Sequence, residues 1–127
     1  MNGHDIALMA AGTIGSVVAV VHGVLTERLM VAPLRAVQPG PSAPIRRMVP
    51  LLLQFSTFNW FLGGLVLVAA ALWLGSEAKL VAGLLVGSSY LAGAAGNLWA
   101  TRGRHPGWAL YALALALIAY GVAGPGA

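Results

Sequence analysis

Apolar residues along this chain arrive in four blocks, and the charged residues fall almost entirely between them. The blocks run from Ile6 to Leu25, Met48 to Leu74, Leu80 to Ala100 and Gly107 to Val122. A helix that crosses a bilayer needs about 20 residues. Each block therefore predicts a span, and the four together predict an all-α, integral membrane four-helix transmembrane bundle, a single domain over 1–127. The first connector, 26–47, is the only long one, and its "VQPGPSAP" is a Pro/Gly/Ser break that no helix continues through. Ser42 and Pro44 suit a cap and first turn, so the second helix is expected to start as early as Ala43, with Pro50 bending its beginning. The connector "GSEAK" predicts a tight antiparallel hairpin between the second and third helices. In "TRGRHPG", Pro106 opens the fourth helix, which dissolves at "GPGA".

Composition sharpens the assignment to a membrane. Apolar residues make up 59% and charged residues 8%, against about a quarter charged in soluble domains, and the mean hydropathy is +0.85. The net charge of +4 comes from short connectors, so it argues for topology and not for nucleic acid. Arg28, Arg35, Arg46 and Arg47 lie in the first connector and Arg102 and Arg104 in the third, whereas the second has only Lys79 beside Glu77. Basic residues stay on the cytoplasmic side, which predicts both termini outside. The start "MNGHDIALMA" has no basic residue, so the first block is expected to be retained as a span and not cleaved. Trp73, Trp99 and Trp108 lie near predicted helix ends, as interfacial anchors do, and Glu27, Arg28 and Arg102 fall at the same boundaries. Without cysteine there are no disulfides, thiolate metal sites or cysteine nucleophiles.

Polar residues inside the blocks carry the candidate chemistry. In lipid they must be paired or turned inward. His22 falls in line with Gly15 and Ala19; Ser56, Asn59 and Gly63 share a face; Gly83, Gly87, Ala94 and Asn97 form a third stripe. His22 and Asn97 lie about five residues, roughly 8 Å, from the charges of Glu27 and Arg102, with Gln54 about seven residues in and Asn59 about twelve. This predicts a polar pocket open to the cytoplasm, floored by Asn59 and rimmed by His22, Gln54 and Asn97. The competing reading makes these residues glue between helices, with Gly15, Ala19, Gly63, Gly83 and Gly87 letting backbones approach. For His22 a packing hydrogen bond, a proton-sensitive or ligand-binding group, and a metal or haem ligand across a homodimer stay open. No cofactor is specified. Walker, HExxH and GxSxG motifs are missing, and Asp5, Glu27 and Glu77 all sit at boundaries. Two functions follow: a non-enzymatic structural or accessory protein that self-associates or joins a membrane complex, or a small channel, carrier or ligand-binding protein.

The segment "ERLMVAPL", the polar aromatic start of the second helix and the ending "RGRHPGWALYALALALIAYG" resemble a group of small, uncharacterised four-helix inner-membrane proteins of bacteria. The resemblance implies the architecture and a bacterial inner-membrane location, and brings no activity. "FSTF", 55–58, is similar to the filter motif of the small dual-topology fluoride channels. Here it lies in the second helix instead of the third, lacks a preceding Asn-containing glycine motif, and accompanies a charge bias that fixes one orientation.

Overall fold

The computed structural model describes residues 1–37 and 40–124. Those residues form four helices and no strand: α1 Gly3–Ala36, α2 Ala43–Trp73, α3 Ser76–Thr101 and α4 Gly107–Val122. Of the connector expected over 26–47, Gln38 and Pro39 lie outside the described residues, as do Pro125 to Ala127 of the expected terminal break.

The helices alternate in direction around a ring, α1 beside α2, α2 beside α3, α3 beside α4, and α4 back against α1. Glycines set the close approaches. Gly12 and Gly64 face each other across α1 and α2 so tightly that a Cβ on either would overlap the other's carbonyl oxygen. Beside them Ser16 Oγ donates to the Phe61 carbonyl at 3.3 Å. Gly63 receives Val86, Gly83 receives Ile118 and Val122, and Gly87 lies near Leu115 and Ile118, so these three fit α3 to its neighbours. Buried Ala19 and Gly15 do the same for α1, and Gly15 is the notch into which the Tyr90 ring enters. Leu8, Ala11, Leu67, Tyr90, Tyr111, Ala114 and Ile118 are among the residues of the shared core.

Two sequence expectations need correction. Residues 26–36 are not connector: α1 continues through a π turn at Glu27–Val31 and on to Ala36. Pro33 explains the turn. A proline has no N–H and its ring strikes the carbonyl four residues back, and widening one turn makes room for it, with the Ala32 amide reaching back to the Glu27 carbonyl. The second correction concerns length. α1, α2 and α3 are long and apolar enough to cross a membrane, but α4 has 16 residues, about 24 Å of helix. Pro106 fixes its start, and its last turn ends at Val122.

Both ends are cross-braced. At the end holding the termini, Asn2 and Asp5 cap α1 reciprocally. Asp5 also accepts a 2.6 Å ion-paired hydrogen bond from Lys79 at the start of α3, and His4 stacks on Tyr120 of α4 at 4.5 Å. The opposite end gathers Arg28, Arg35, Arg46, Arg47, Arg102 and Arg104 at the ends of α1, α2 and α3.

Candidate functional site

At the arginine end, side chains of α1, α2, α3 and α4 and of the α3–α4 connector line a partly open cavity of ≈ 170 Å³ bordered by His22, Trp60, Asn97, His105, Tyr111 and a set of aliphatic side chains. His22 is held from two sides: its Nε2 lies 3.3 Å from Thr26 Oγ1 on its own helix and 3.3 Å from Ser56 Oγ on α2. Its ring meets Trp60 edge-on at 4.8 Å. Trp60 in turn meets Tyr111 edge-on at 5.1 Å, and Tyr111 lies against Tyr90 at 4.8 Å. Edge-on and tilted contacts of this kind suit the ring quadrupoles and hold each side chain in one rotamer. Tyr90 is anchored further by donating to the Trp60 carbonyl at 3.3 Å.

Two groups at this cavity stand apart electrostatically. Asn97 Oδ1 and the Tyr111 hydroxyl are both buried with no hydrogen-bond partner, and Thr57 Oγ1 on α2 is a third such atom among the described residues. A buried polar group left unpaired costs about 1–3 kcal/mol. Tyr111, 3% exposed, cannot turn to water for relief.

The four predicted pocket residues separate into two groups. His22 and Asn97 line the cavity together, as the sequence stripes imply. Gln54 instead donates from Nε2 to the Gly23 carbonyl at 3.1 Å, tying α2 to α1. Asn59 is not the floor: it is exposed, donates to Ser89 Oγ at 2.9 Å, and borders a different groove between α2 and α3 with Leu62, Gly63 and Val66. Three residues of helix turn through about 300°, so Asn59 points some 60° away from Ser56 and emerges at the edge of the bundle. The side chain that fills the interior is the next one, Trp60.

Trp60, Tyr90, Tyr111 and His105 were not among the predicted site residues. Trp60 and Tyr90 did carry a signal, since interfacial anchoring accounts for aromatic residues at helix ends and not for these two in mid-helix. His105 reaches the cavity because its connector folds inward, with the Gly107 amide donating to His105 Nδ1 at 3.1 Å and the His105 amide to Thr101 Oγ1 at 3.4 Å.

The boundary residues divide as well. Trp73 and Trp99 are 77% and 85% exposed at opposite ends of the bundle. Trp108 is half-buried and donates from Nε1 to the Gly103 carbonyl at 3.2 Å, bracing the connector. Glu27 accepts from Arg35 at 2.9 Å across the π turn while Arg28 stays exposed, and Arg102 closes α3 in the left-handed conformation. No group of three His, Cys, Asp or Glu side chains gathers to hold a metal among the described residues.

No protein-family model, curated protein or solved structure matches the chain.

Proposed function

We propose that this chain is a non-enzymatic bacterial inner-membrane protein that binds a small molecule in the cavity between His22, Trp60, Asn97 and Tyr111. The observation that carries this reading is the pair of buried, unpartnered oxygens on Asn97 and Tyr111, two residues that line the same cavity. A bound molecule that donates to Asn97 Oδ1 and accepts from the Tyr111 hydroxyl would satisfy both. The aromatic side chains beside them suit a flat, apolar body. The cavity lining contains no carboxylate, lysine or arginine, so a neutral ligand fits it better than an ion. The positive-inside rule puts the arginine end, and with it the cavity, on the cytoplasmic side.

The test is native mass spectrometry of the protein extracted in mild detergent. A discrete non-lipid mass on the wild type that is lost from Asn97→Leu and from Tyr111→Phe supports the reading. A bare protein, or one carrying only mixed lipid, contradicts it.

Self-association as an accessory protein is the second reading, favoured by α4. Its 16 residues are short for a span, and its outward face presents exposed Ala112, Ala116 and Ala119 at helical spacing. Short spans and small-residue faces both favour helix association in lipid. The same spectra report subunit number, and a monomer at all protein concentrations would exclude it.

A further inference from the structure

The cavity has a neighbour. On the outside of the bundle, between α2 and α3, a groove of ≈ 430 Å³ is lined by His22, Trp60, Ser89, Gly93, Gly96 and Asn97, with Ala92 at its edge. His22, Trp60 and Asn97 line both spaces, so the two are separated only by the thickness of these side chains. Trp60 sits directly over Gly93, where a Cβ would come within 2.7 Å of its ring. Nothing lies within 4 Å of the corresponding position at Gly96, one helical turn further along. The Asn59–Ser89 hydrogen bond crosses from α2 to α3 at the end of the groove nearer the termini. At 1.5 Å per residue, Asn97 and Ser89 lie about 6 Å and 18 Å from the end of α3. In a spanning helix Ser89 falls at hydrocarbon depth and Asn97 near the interface, and the groove's flanks suit lipid: Phe55 and Leu91 are 66% and 58% exposed.

On the α1–α4 side the cavity is bordered by the exposed Val17, Val21 and Leu110, and at the aqueous end the α3–α4 connector lies across it. The connector between α3 and α4 carries His105, Pro106 and Gly107 onto the cavity. It is held there by the His105, Gly107 and Trp108 hydrogen bonds already described. His22 and Ser89 of the groove are paired within the protein, whereas Asn97 Oδ1 is buried without a partner, which is costly unless a bound molecule uses it.

The geometry points to a lateral portal: the ligand is a small, neutral, ring-bearing amphiphile dissolved in the bilayer, which reaches the Asn97–Tyr111 cavity between α2 and α3 past Trp60. This rests on the binding reading above and adds the source and class of the ligand. Gly93 gives Trp60 a surface without side chain to turn against, and Ser89, His22 and Asn97 offer successive hydrogen bonds along the path. Trp60 is a gating side chain here, and the binding groups lie behind it.

Photolabelling tests the portal without knowing the natural ligand. The probe is a benzyl alcohol carrying an aryl diazirine, mixed with proteoliposomes and illuminated, with insertion sites mapped by peptide mass spectrometry. In the wild type, label is expected on Tyr111 and Val18, behind Trp60, as well as on the exposed Leu84 and Leu85. Gly96→Trp, and the smaller Gly96→Leu in case the first fails to fold, fill the groove from outside. Either is expected to abolish label at Tyr111 and Val18 while leaving Leu84 and Leu85 labelled. Label at Tyr111 that survives both substitutions overturns the portal, as does wild-type label confined to the outer face. A water-confined aryl diazirine sulfonate that marks Tyr111 overturns it as well, because access would then come from the aqueous end. If the portal behaves as expected while native spectra show no retained molecule, the binding reading fails and the path stands.

Discussion

Gly15 and Tyr90 illustrate how much of this bundle is decided by single atoms. A Cβ at position 15 would occupy the space of the Tyr90 ring, whereas one at Gly96 would meet nothing within 4 Å. Overpacking a fitted site costs about 1–3 kcal/mol, so Gly15→Ala should lower the melting temperature in detergent clearly. Gly96→Ala should leave it unchanged or raise it, since alanine is the better helix former. Tyr111→Phe makes a sharper test. Removing a hydroxyl that is buried without a partner recovers up to about 1–3 kcal/mol, so the ligand-free variant should melt above ligand-free wild type even as it loses the retained molecule. A variant less stable than wild type would mean the hydroxyl has a partner and the cavity argument is misplaced. At this scale the sequence was legible for glycines and for His22 and Asn97, whose spacing put them on inward faces. It was misleading for Asn59, because a polar residue at the right depth still lies about 60° from its neighbour's face after three residues. Trp60 took the interior position by bulk, a property that polarity does not reveal.

Among the helices, the ends show how local chemistry fixes boundaries. α3 terminates with the Gly103 amide bonded to the Leu98 carbonyl at 3.0 Å and the Arg102 amide to the Trp99 carbonyl at 3.4 Å, the pairing of a Schellman cap. Such caps place a left-handed residue at the first position, usually glycine, and here it is Arg102 at φ 51°, followed by Gly103 at φ 77°. A side chain in that conformation costs about 1–2 kcal/mol. Arg102→Gly is expected to raise the melting temperature in detergent and Gly103→Ala to lower it; the reverse order would show that the Arg102 side chain contributes more than its backbone costs. The four apolar blocks and the short connectors were plain in the sequence because lipid demands length and apolarity together. The extension of α1 to Ala36 was not, since Pro33 reads as a helix breaker and only the wider π turn, which has no sequence signature of its own, lets the helix pass it.

Over the whole molecule, two differently braced ends enclose the pocket. The end with the termini is tied by Asp5 and Lys79, whose side chains are 14% and 19% exposed. Removing one partner strands a shielded charge, and replacing both avoids that. Asp5→Leu and Lys79→Met alone should each melt below wild type, and the double variant should recover part of the loss; additive losses would show that the two do not interact. This pair was hidden in the sequence because it joins positions 5 and 79, and only the antiparallel ring brings them together. The six arginines at the other end predict its sidedness. A cysteine at Gly75 should react with an impermeant thiol reagent on intact cells, and one at Ser42 only after lysis. The binding claim itself is tested most directly by a density map of the protein purified in patches of its native membrane. The account predicts continuous non-lipid density in the cavity bordered by His22, Trp60, Asn97 and Tyr111, within about 3.2 Å of Asn97 Oδ1 and the Tyr111 hydroxyl. A map in which both oxygens are satisfied by protein groups, with no density between them, would contradict it.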